Sequence, residues 1–313
     1  MEAHAARAGA PVTGGFGARL AARVAERESQ VVLGLDPDPA RLWPEALEAT
    51  PAHGTPAERA AAAVAVQCAA LIAAAGPACV AVKPQVACFE RFGPPGWIAL
   101  TITCERAREA GLLVLADAKR GDIDVTAAAY AQTFLSGTPT PFGDVQGLAA
   151  DALTVNPYLG RDALEPFVAA ARSAGAGLFV LVRTSNPGAR DVEDLPVAPD
   201  GAPVWERVAR IVDELGAGDG PLSDIGAVTG ATAPEHLQRA RELMPRAPFL
   251  LPGIGAQGGR VEDVAPAFAP GRAGGLVTAS RSIANAYEAT GSPRATAARQ
   301  EAERLRAAAW ALS

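Results

Sequence analysis

Short apolar runs alternate with amphipathic helical stretches along the chain, and this alternation most constrains the fold. The apolar runs are nearly continuous in Val, Leu, Ile and Ala, which is typical of parallel strands buried on both faces. Eight such strands alternating with helices predict an α/β fold, a closed (β/α)8 barrel. The predicted strands are Val31–Asp36, Cys79–Lys83, Leu112–Asp117, Ala152–Asn156, Leu178–Arg183, Ile225–Thr229, Phe249–Pro252 and Gly275–Ala279.

A doubly wound open sheet is the alternative. The segment Gly34-Leu35-Asp36-Pro37, however, lacks the glycine fingerprint that follows the first strand of a dinucleotide fold. We expect a loose arm over residues 1–14 and a single barrel domain over residues 15–313. Pro187–Pro203 is predicted to be a polar loop, and Ala295–Leu312 a helix that closes the barrel base or packs on a partner. The other predicted helices are Pro56–Ala75, Trp97–Ala110, Val125–Leu135, Asp162–Ala174, Val204–Leu215 and Pro234–Leu243.

Charge and cysteine content disfavour several classes of function. The net charge is −6 and no long basic run occurs, so a nucleic-acid partner is not expected. The 4 cysteines form no Cys-x-x-Cys pair and are interpreted as free thiols in a reducing compartment. Residues 1–15 lack the apolar stretch of a signal peptide, and Ala60–Ala75 is interpreted as a buried helix, not a membrane span. We therefore expect a cytoplasmic protein.

Lysine is nearly absent. Lys and Arg together number 28, and only Lys83 and Lys119 are lysines. The abundance of Ala, Gly and Pro suggests a coding bias that replaces Lys with Arg wherever either serves. Arginine is always protonated, whereas lysine can release a proton and is a compact point charge. Unless they survive by chance, the two lysines are candidates for a task that arginine cannot perform.

Both lysines fall at the predicted carboxyl ends of strands, where the active sites of such barrels lie. Asp117 and Lys119 are two residues apart, so both side chains should point into the barrel interior, and Asp122 follows as the chain leaves the strand. An ammonium between carboxylates stays charged, which suits an electrostatic stabiliser and proton donor. An ordinary ion-pair network is the alternative. Other polar residues at this rim are Asp36, Asn156 and Arg183-Thr184-Ser185-Asn186.

Two consecutive loops predict a phosphate site. The glycine-rich segment Pro252–Gly259 follows the seventh strand, and Ser280-Arg281-Ser282 follows the eighth. In this fold these loops commonly bind phosphate, because glycine N–H groups can approach the anion and an arginine can grip it. None of the 3 histidines falls at a strand end, so neither a histidine base nor a His-ligated metal is expected.

The segment Asp117-Ala118-Lys119-Arg120-Gly121-Asp122-Ile123 resembles the Asp-x-Lys-x-x-Asp-Ile signature of the orotidine 5′-phosphate decarboxylase family, in its longer bacterial subgroup. Ser280 departs from the glycine that compact members have at this position. Five further motifs resemble the family in the same order: Gly34–Asp36, Val82–Pro84, Thr184–Gly188, Pro252–Gly259 and Arg281.

The resemblance implies decarboxylation of orotidine 5′-phosphate to uridine 5′-phosphate, a step of pyrimidine nucleotide synthesis, without cofactor or metal. It implies that Asp36 contacts the ribose, Ser185 the pyrimidine, and Gln257 and Arg281 the phosphate. It also implies a homodimer in which Asp122 and Thr126 enter the neighbouring subunit's site. The implied catalytic residues are Lys83, Asp117, Lys119 and Asp122, and the implied substrate-binding residues are Asp36, Thr126, Ser185, Pro252, Gly253, Gly255, Gln257 and Arg281.

Two other functions remain open. Sister enzymes of the same barrel group, the 3-keto-gulonate 6-phosphate decarboxylases and hexulose-phosphate synthases, use magnesium and a sugar phosphate. Lys83 and the Thr184–Asn186 segment argue against them. A barrel that only binds a phosphorylated metabolite is the other alternative, which the intact charged array disfavours.

Overall fold

The computed structural model describes residues 14–218, 220–231, 234–254 and 258–313. Within them, eight parallel strands close into a barrel in sequence order, and β8 pairs with β1. This confirms the predicted (β/α)8 barrel. The strands are β1 Val31–Leu35, β2 Ala81–Pro84, β3 Leu113–Arg120, β4 Ala152–Val155, β5 Gly177–Arg183, β6 Ile225–Thr229, β7 Phe249–Leu251 and β8 Gly275–Ala279.

Helices surround the strands, and every predicted helix is present with ends shifted by a few residues at most. The loop after β5 begins with a 3-10 turn at Pro187–Asp191, and a longer 3-10 segment, Val261–Phe268, follows β7. The helices are α1 Phe16–Arg27, α2 Pro44–Glu48, α3 Pro56–Ala75, α4 Ala87–Glu90, α5 Pro94–Glu109, α6 Asp124–Ala131, α7 Arg161–Ser173, α8 Val204–Leu215, α9 Pro234–Leu243, α10 Arg281–Ala284, α11 Tyr287–Thr290 and α12 Arg294–Leu312.

The alanine-rich helix α3 starts with a complete capping box. The Thr55 hydroxyl accepts from the Glu58 N–H, and the Glu58 carboxylate accepts from the Thr55 N–H, while Pro56 occupies the first helical position. By length and composition Pro56–Ala78 could cross a membrane, but 56% of its most apolar window is buried within the structure. That burial is typical of a core helix, because the small alanine side chains let α3 pack closely against α5 and α12.

The base of the barrel is closed by α1, which the sequence interpretation did not assign. The Phe16 ring meets the Phe179 ring edge-on at 5.9 Å between centroids, and both are fully buried. Gly177 makes room for this contact, because a Cβ there would lie 2.2 Å from the Phe16 ring. The C-terminal helix α12 packs mainly on the outer wall against α3, and Trp310 near its end reaches the cluster at the base. Packing of this helix on a partner, the other alternative, stays a prediction.

Candidate active site

A cavity of about 580 Å³ opens at the carboxyl ends of the barrel strands. Its floor includes apolar side chains of Leu181, Val228 and Leu250, and charged and polar side chains stand above them. The structure brings together in this cavity eight of the residues predicted for the site, namely Asp36, Lys83, Asp117, Lys119, Ser185, Pro252, Gly253 and Arg281.

Asp117 lies between the two lysines and accepts hydrogen bonds from both. Its Oδ2 accepts from Lys83 Nζ at 2.6 Å and from Gln85 Nε2 at 3.2 Å. Its Oδ1 accepts from Lys119 Nζ at 2.5 Å and from the Thr154 hydroxyl at 3.0 Å. Both carboxylate oxygens are therefore satisfied by donors that fix the orientation of the group.

The two lysines differ in their access to the cavity. The Lys83 side chain is only 7% exposed, as is that of Asp117, whereas the Lys119 side chain is 43% exposed. Lys83 Nζ also lies 3.9 Å from Asp36 Oδ1. Both lysines line the cavity, and Lys119 offers a bound molecule the larger exposed surface.

Charge pairing outweighs burial at the buried pair. Burial alone would lower the pKa of Lys83, but the carboxylates of Asp117 and Asp36 hold that pKa above its ordinary value. Burial alone would raise the pKa of Asp117, but the ammonium groups of Lys83 and Lys119 hold it well below its usual range. Lys83 and Asp117 therefore form an ion pair across the neutral pH range.

The backbone at Lys119 is not that of a regular strand. Its φ is +50°, in the left-handed region that L-residues other than glycine seldom occupy. The pairing of β3 with β4 shifts register between Ala116 and Arg120, and the Lys119 N–H donates instead to the Thr154 hydroxyl at 2.9 Å. This bulge at the end of β3 turns the Lys119 side chain back toward Asp117.

Arg120 anchors the outer side of that bulge. Its guanidinium donates to the Ala118 carbonyl at 3.0 Å, forms an ion pair with Glu90, and lies 5.4 Å from the centroids of both the Tyr130 and Phe134 rings. The residues on either side of Lys119 are thereby held to the barrel wall by contacts that do not enter the cavity.

The segment after β5 forms one wall of the cavity. Ser185 and Asn186 line it, and Glu193 accepts hydrogen bonds from the Thr184 N–H and hydroxyl, both at 2.8 Å. At the strand end, Arg183 makes a two-pronged ion pair with Asp194, at 2.7 and 2.9 Å. The start of the long loop is thus tied to the strand that presents Ser185.

The same cavity is lined by several of the predicted phosphate residues. Pro252, Gly253 and Arg281 line the cavity, while Gly255 and Gln257 lie outside the described residues. Ser280, the departure from the family pattern, lies directly over Gly34, where an added Cβ would come 1.8 Å from the serine hydroxyl. The missing side chain of Gly34 therefore makes room for Ser280 at this end of the cavity.

Asp122 and Thr126 do not line the cavity of their own chain. Asp122 accepts a hydrogen bond from the neighbouring Ile123 N–H at 2.9 Å, and Thr126 is exposed on α6. Their predicted role in a neighbouring subunit's site stays a prediction.

Sequence reasoning missed four polar residues of the cavity, Gln85, Thr154, Glu193 and Thr278. Thr154 carried a readable signal, because it interrupts an otherwise apolar buried strand. Gln85 directly follows Lys83-Pro84 at the same rim, whereas Glu193 is one of several acidic residues in a long loop and carried no signal.

Among the residues that the structure describes, no group of three or more His, Cys, Asp or Glu side chains is placed to hold a metal ion. Asp117, one of the carboxylates that line the cavity, has both oxygens engaged by ammonium groups.

The fold and the site together define a (β/α)8 barrel with a lysine–aspartate array at its carboxyl end. Comparison with known proteins gives the family. Residues 29–298 match the model of the orotidine 5′-phosphate decarboxylase / HUMPS family. The chain therefore belongs to that family.

Individual relatives agree with this assignment. An orotidine 5′-phosphate decarboxylase of Deinococcus radiodurans is 48% identical over 68% of this chain and 74% of its own length. That of Rhodopirellula baltica is 42% identical over 87% of this chain and 89% of its own. A crystal structure from Streptomyces avermitilis, provisionally assigned the same activity, superposes with a TM-score of 0.77 at 35% identity over 95% of both chains.

Proposed function

We propose that this protein decarboxylates orotidine 5′-phosphate to uridine 5′-phosphate in pyrimidine nucleotide synthesis, without a cofactor or metal ion. Family membership and the names of the relatives support the overall reaction. The observation that carries the mechanism is the half-exposed Lys119 ammonium, held 2.5 Å from the buried Asp117 carboxylate and facing the cavity.

Lys119 acts on the carbon that loses the carboxylate. Cleavage of the bond between C6 and the carboxyl carbon releases CO2 and leaves the electron pair on C6 of the pyrimidine. The Lys119 ammonium stabilises this developing charge and then donates a proton to C6, and the resulting amine is reprotonated from solvent. Because Asp117 already holds the ammonium in place, little reorganisation is needed at the moment of reaction.

The remaining residues bind the parts of the substrate that do not react. Ser185 recognises the pyrimidine, Asp36 the ribose, and Arg281, with the Pro252–Gly253 turn and the glycine-rich segment that follows, the phosphate. Binding energy from the distant phosphate is then available to hold the pyrimidine against the charged array. Within this scheme residues 15–313 form one catalytic domain.

The active sites are composite in this proposal. Asp122 and Thr126 lie outside their own cavity, and apolar side chains after β3 and β4 are exposed at the same end of the barrel, with Val125 at 83% and Tyr158 at 82%. A second copy of the chain covers this surface and receives Asp122 and Thr126 in its cavity.

The decisive experiment follows the absorbance of orotidine 5′-phosphate with purified protein, with and without EDTA. We expect turnover that is unchanged by the chelator. Loss of activity in EDTA, restored by Mg²⁺, would indicate a reaction of the magnesium-dependent sister enzymes, and binding without turnover would indicate a barrel that only binds its ligand.

A further inference from the structure

Thr154 is the single polar residue of β4, Ala152–Val155, and its side chain lies at the centre of the bulge described above. It is 1% exposed and also lines the cavity. We propose that Thr154 is a positioning residue that fixes the catalytic lysine in its unusual backbone conformation. This inference deepens the proposed function and rests on the assignment of Lys119 as proton donor.

The Thr154 hydroxyl makes two directed hydrogen bonds. It accepts from the Lys119 N–H at 2.9 Å and donates to Asp117 Oδ1 at 3.0 Å. The same Oδ1 accepts from the Lys119 ammonium at 2.5 Å. A closed ring of contacts thus runs from the lysine backbone through the hydroxyl and the carboxylate to the lysine side chain.

The hydroxyl replaces a bond that the sheet cannot make here. Regular pairing between β3 and β4 stops at Ala116 and resumes at Arg120, so Lys119 lies within the register shift. A buried N–H without a partner costs free energy, and so does a lysine in the left-handed region. By accepting that N–H, Thr154 stabilises the conformation that points Nζ at Asp117.

The direction of each bond makes the role specific to a hydroxyl. A single oxygen must accept from one side and donate to the other, which valine cannot do and serine can. Without the hydroxyl, both the Lys119 amide and Asp117 Oδ1 lose a partner, and the ammonium gains freedom to leave its productive position. The loss should fall on the chemical step, because misplacement of a reacting group by about 1 Å costs up to about 100-fold in rate.

The test uses three substitutions in the full-length protein. Thr154→Val removes the hydroxyl at nearly constant shape, and Thr154→Ser keeps it. Thr229→Val is the matched control, since Thr229 is a fully buried threonine at the end of β6 whose hydroxyl has no hydrogen-bond partner among the described residues.

We expect Thr154→Val to lower kcat about 10- to 100-fold with KM and uridine 5′-phosphate affinity within about threefold of wild type. Thr154→Ser should retain most of the activity, and Thr229→Val all of it. A Thr154→Val enzyme with wild-type kcat, or an equal loss of kcat in Thr229→Val, would overturn the proposal.

Crystal structures of the wild type and Thr154→Val separate this proposal from the proposed function. We expect Lys119 in the variant to leave its left-handed conformation and its contact with Asp117. An unmoved Lys119 backbone and ammonium would overturn the positioning role. If the wild type fails to turn over orotidine 5′-phosphate, the proposed function fails, while the structural comparison still decides the role of Thr154.

Discussion

At the scale of single residues, two chemically identical side chains hold one carboxylate in different ways. The Lys83 side chain is largely shielded at the edge of the cavity, whereas that of Lys119 is 43% exposed in it. Both lysines line the cavity, but the larger exposed surface of Lys119 favours contact with a bound molecule, and the shielded ammonium of Lys83 is a good counter-ion for Asp117. The environment of each lysine, not its chemistry, therefore distinguishes the two: Lys83 is the shielded counter-ion of Asp117 and Lys119 the exposed ammonium, and the predicted catalytic role of Lys83 stays a prediction.

Lys119→Ala tests this division. We expect turnover of orotidine 5′-phosphate to fall by at least about 1,000-fold, because the lost interaction exists only in the transition state. Binding of uridine 5′-phosphate, measured by calorimetry, should change by less than about tenfold. Near wild-type turnover in this variant would contradict the proposed mechanism.

Asp117→Asn tests the buried ion pair through stability. Removing one partner of a buried pair leaves the other uncompensated, so we expect the free energy of unfolding to fall by about 3 kcal/mol at neutral pH. Lys83 has a folded-state pKa above its ordinary value of 10.5, so its stabilising contribution is complete below that pH and is lost as pH rises through the folded-state pKa.

Urea unfolding of wild type and Asp117→Asn between about pH 7 and pH 11 measures this effect. The difference in unfolding free energy should be largest near pH 7 and shrink at alkaline pH, because the unpaired Lys83 of the variant releases its proton more readily than the paired Lys83 of the wild type. Asp117 itself has a lowered pKa, so its share is lost only when pH falls below the usual carboxyl range. Equal stability of the two proteins at neutral pH would argue against a stabilising pair.

At the scale of elements, the loop after β5 is held in place by contacts between its middle and the end of the strand that it follows. The ion pair between Arg183 and Asp194 is largely shielded, and Glu193 binds Thr184 next to it. These contacts therefore hold the segment that contains Ser185 in place without a bound substrate. A braced segment loses less conformational entropy on binding than a free one.

Asp194→Asn removes the ion pair with Arg183 and should make the segment that contains Ser185 more mobile. We expect KM for orotidine 5′-phosphate to rise about tenfold, because about 1.4 kcal/mol of binding free energy would be spent on ordering the segment. The change in kcat should be smaller. Steady-state kinetics measure both constants.

Asp200→Asn is the matched control. Asp200 lies in the same loop as Asp194, and it forms an exposed ion pair with Arg207. This pair is expected to contribute little. Equal effects of the two substitutions would show that the position of the charge in the loop does not matter.

Much of the barrel is predictable from the chain, because buried parallel strands and amphipathic helices each have a local signature. The ends of β6 and β8 match the prediction to the residue, and the others differ by a few residues. The bulge at Lys119 is not predictable in this way. It depends on a register shift against β4, which lies more than thirty residues further along the chain.

The residues of the site likewise fall into those with a local sequence signature and those placed only by tertiary contacts. Strand-end position and the lysine count suffice to select Lys83, Asp117 and Lys119. The position of Glu193 and the ion pair between Arg183 and Asp194 depend on how a long loop folds back, and no periodic sequence pattern predicts that. The placement of α1 under the barrel is likewise decided by a tertiary contact, that of Phe16 with Phe179.

At the scale of the whole molecule, the barrel is closed at its base by α1 and exposes apolar side chains at its active end. Ile123 and Leu159, about half exposed, extend the surface formed by Val125 and Tyr158. In the proposed two-fold dimer this one surface would be used twice, because the same patch of each chain contacts the other.

Mixing inactive variants tests the composite site. Lys119→Ala and Asp122→Ala should each be strongly impaired alone. In an exchanged 1:1 mixture half of the dimers are hybrids with one intact site of two, so about a quarter of wild-type activity should return. No recovery, with subunit exchange verified by mass spectrometry, would place Asp122 outside a shared site.

The scarcity of lysine has a practical consequence for handling this protein. Reagents that acylate amines find two side-chain targets, and of these Lys119 is accessible while Lys83 is shielded. Attachment of dyes, beads or crosslinkers through lysine would therefore block the cavity instead of decorating an outer face. The same selectivity makes Lys119 the preferred lysine for reaction with a covalent probe attached to a nucleotide-like ligand.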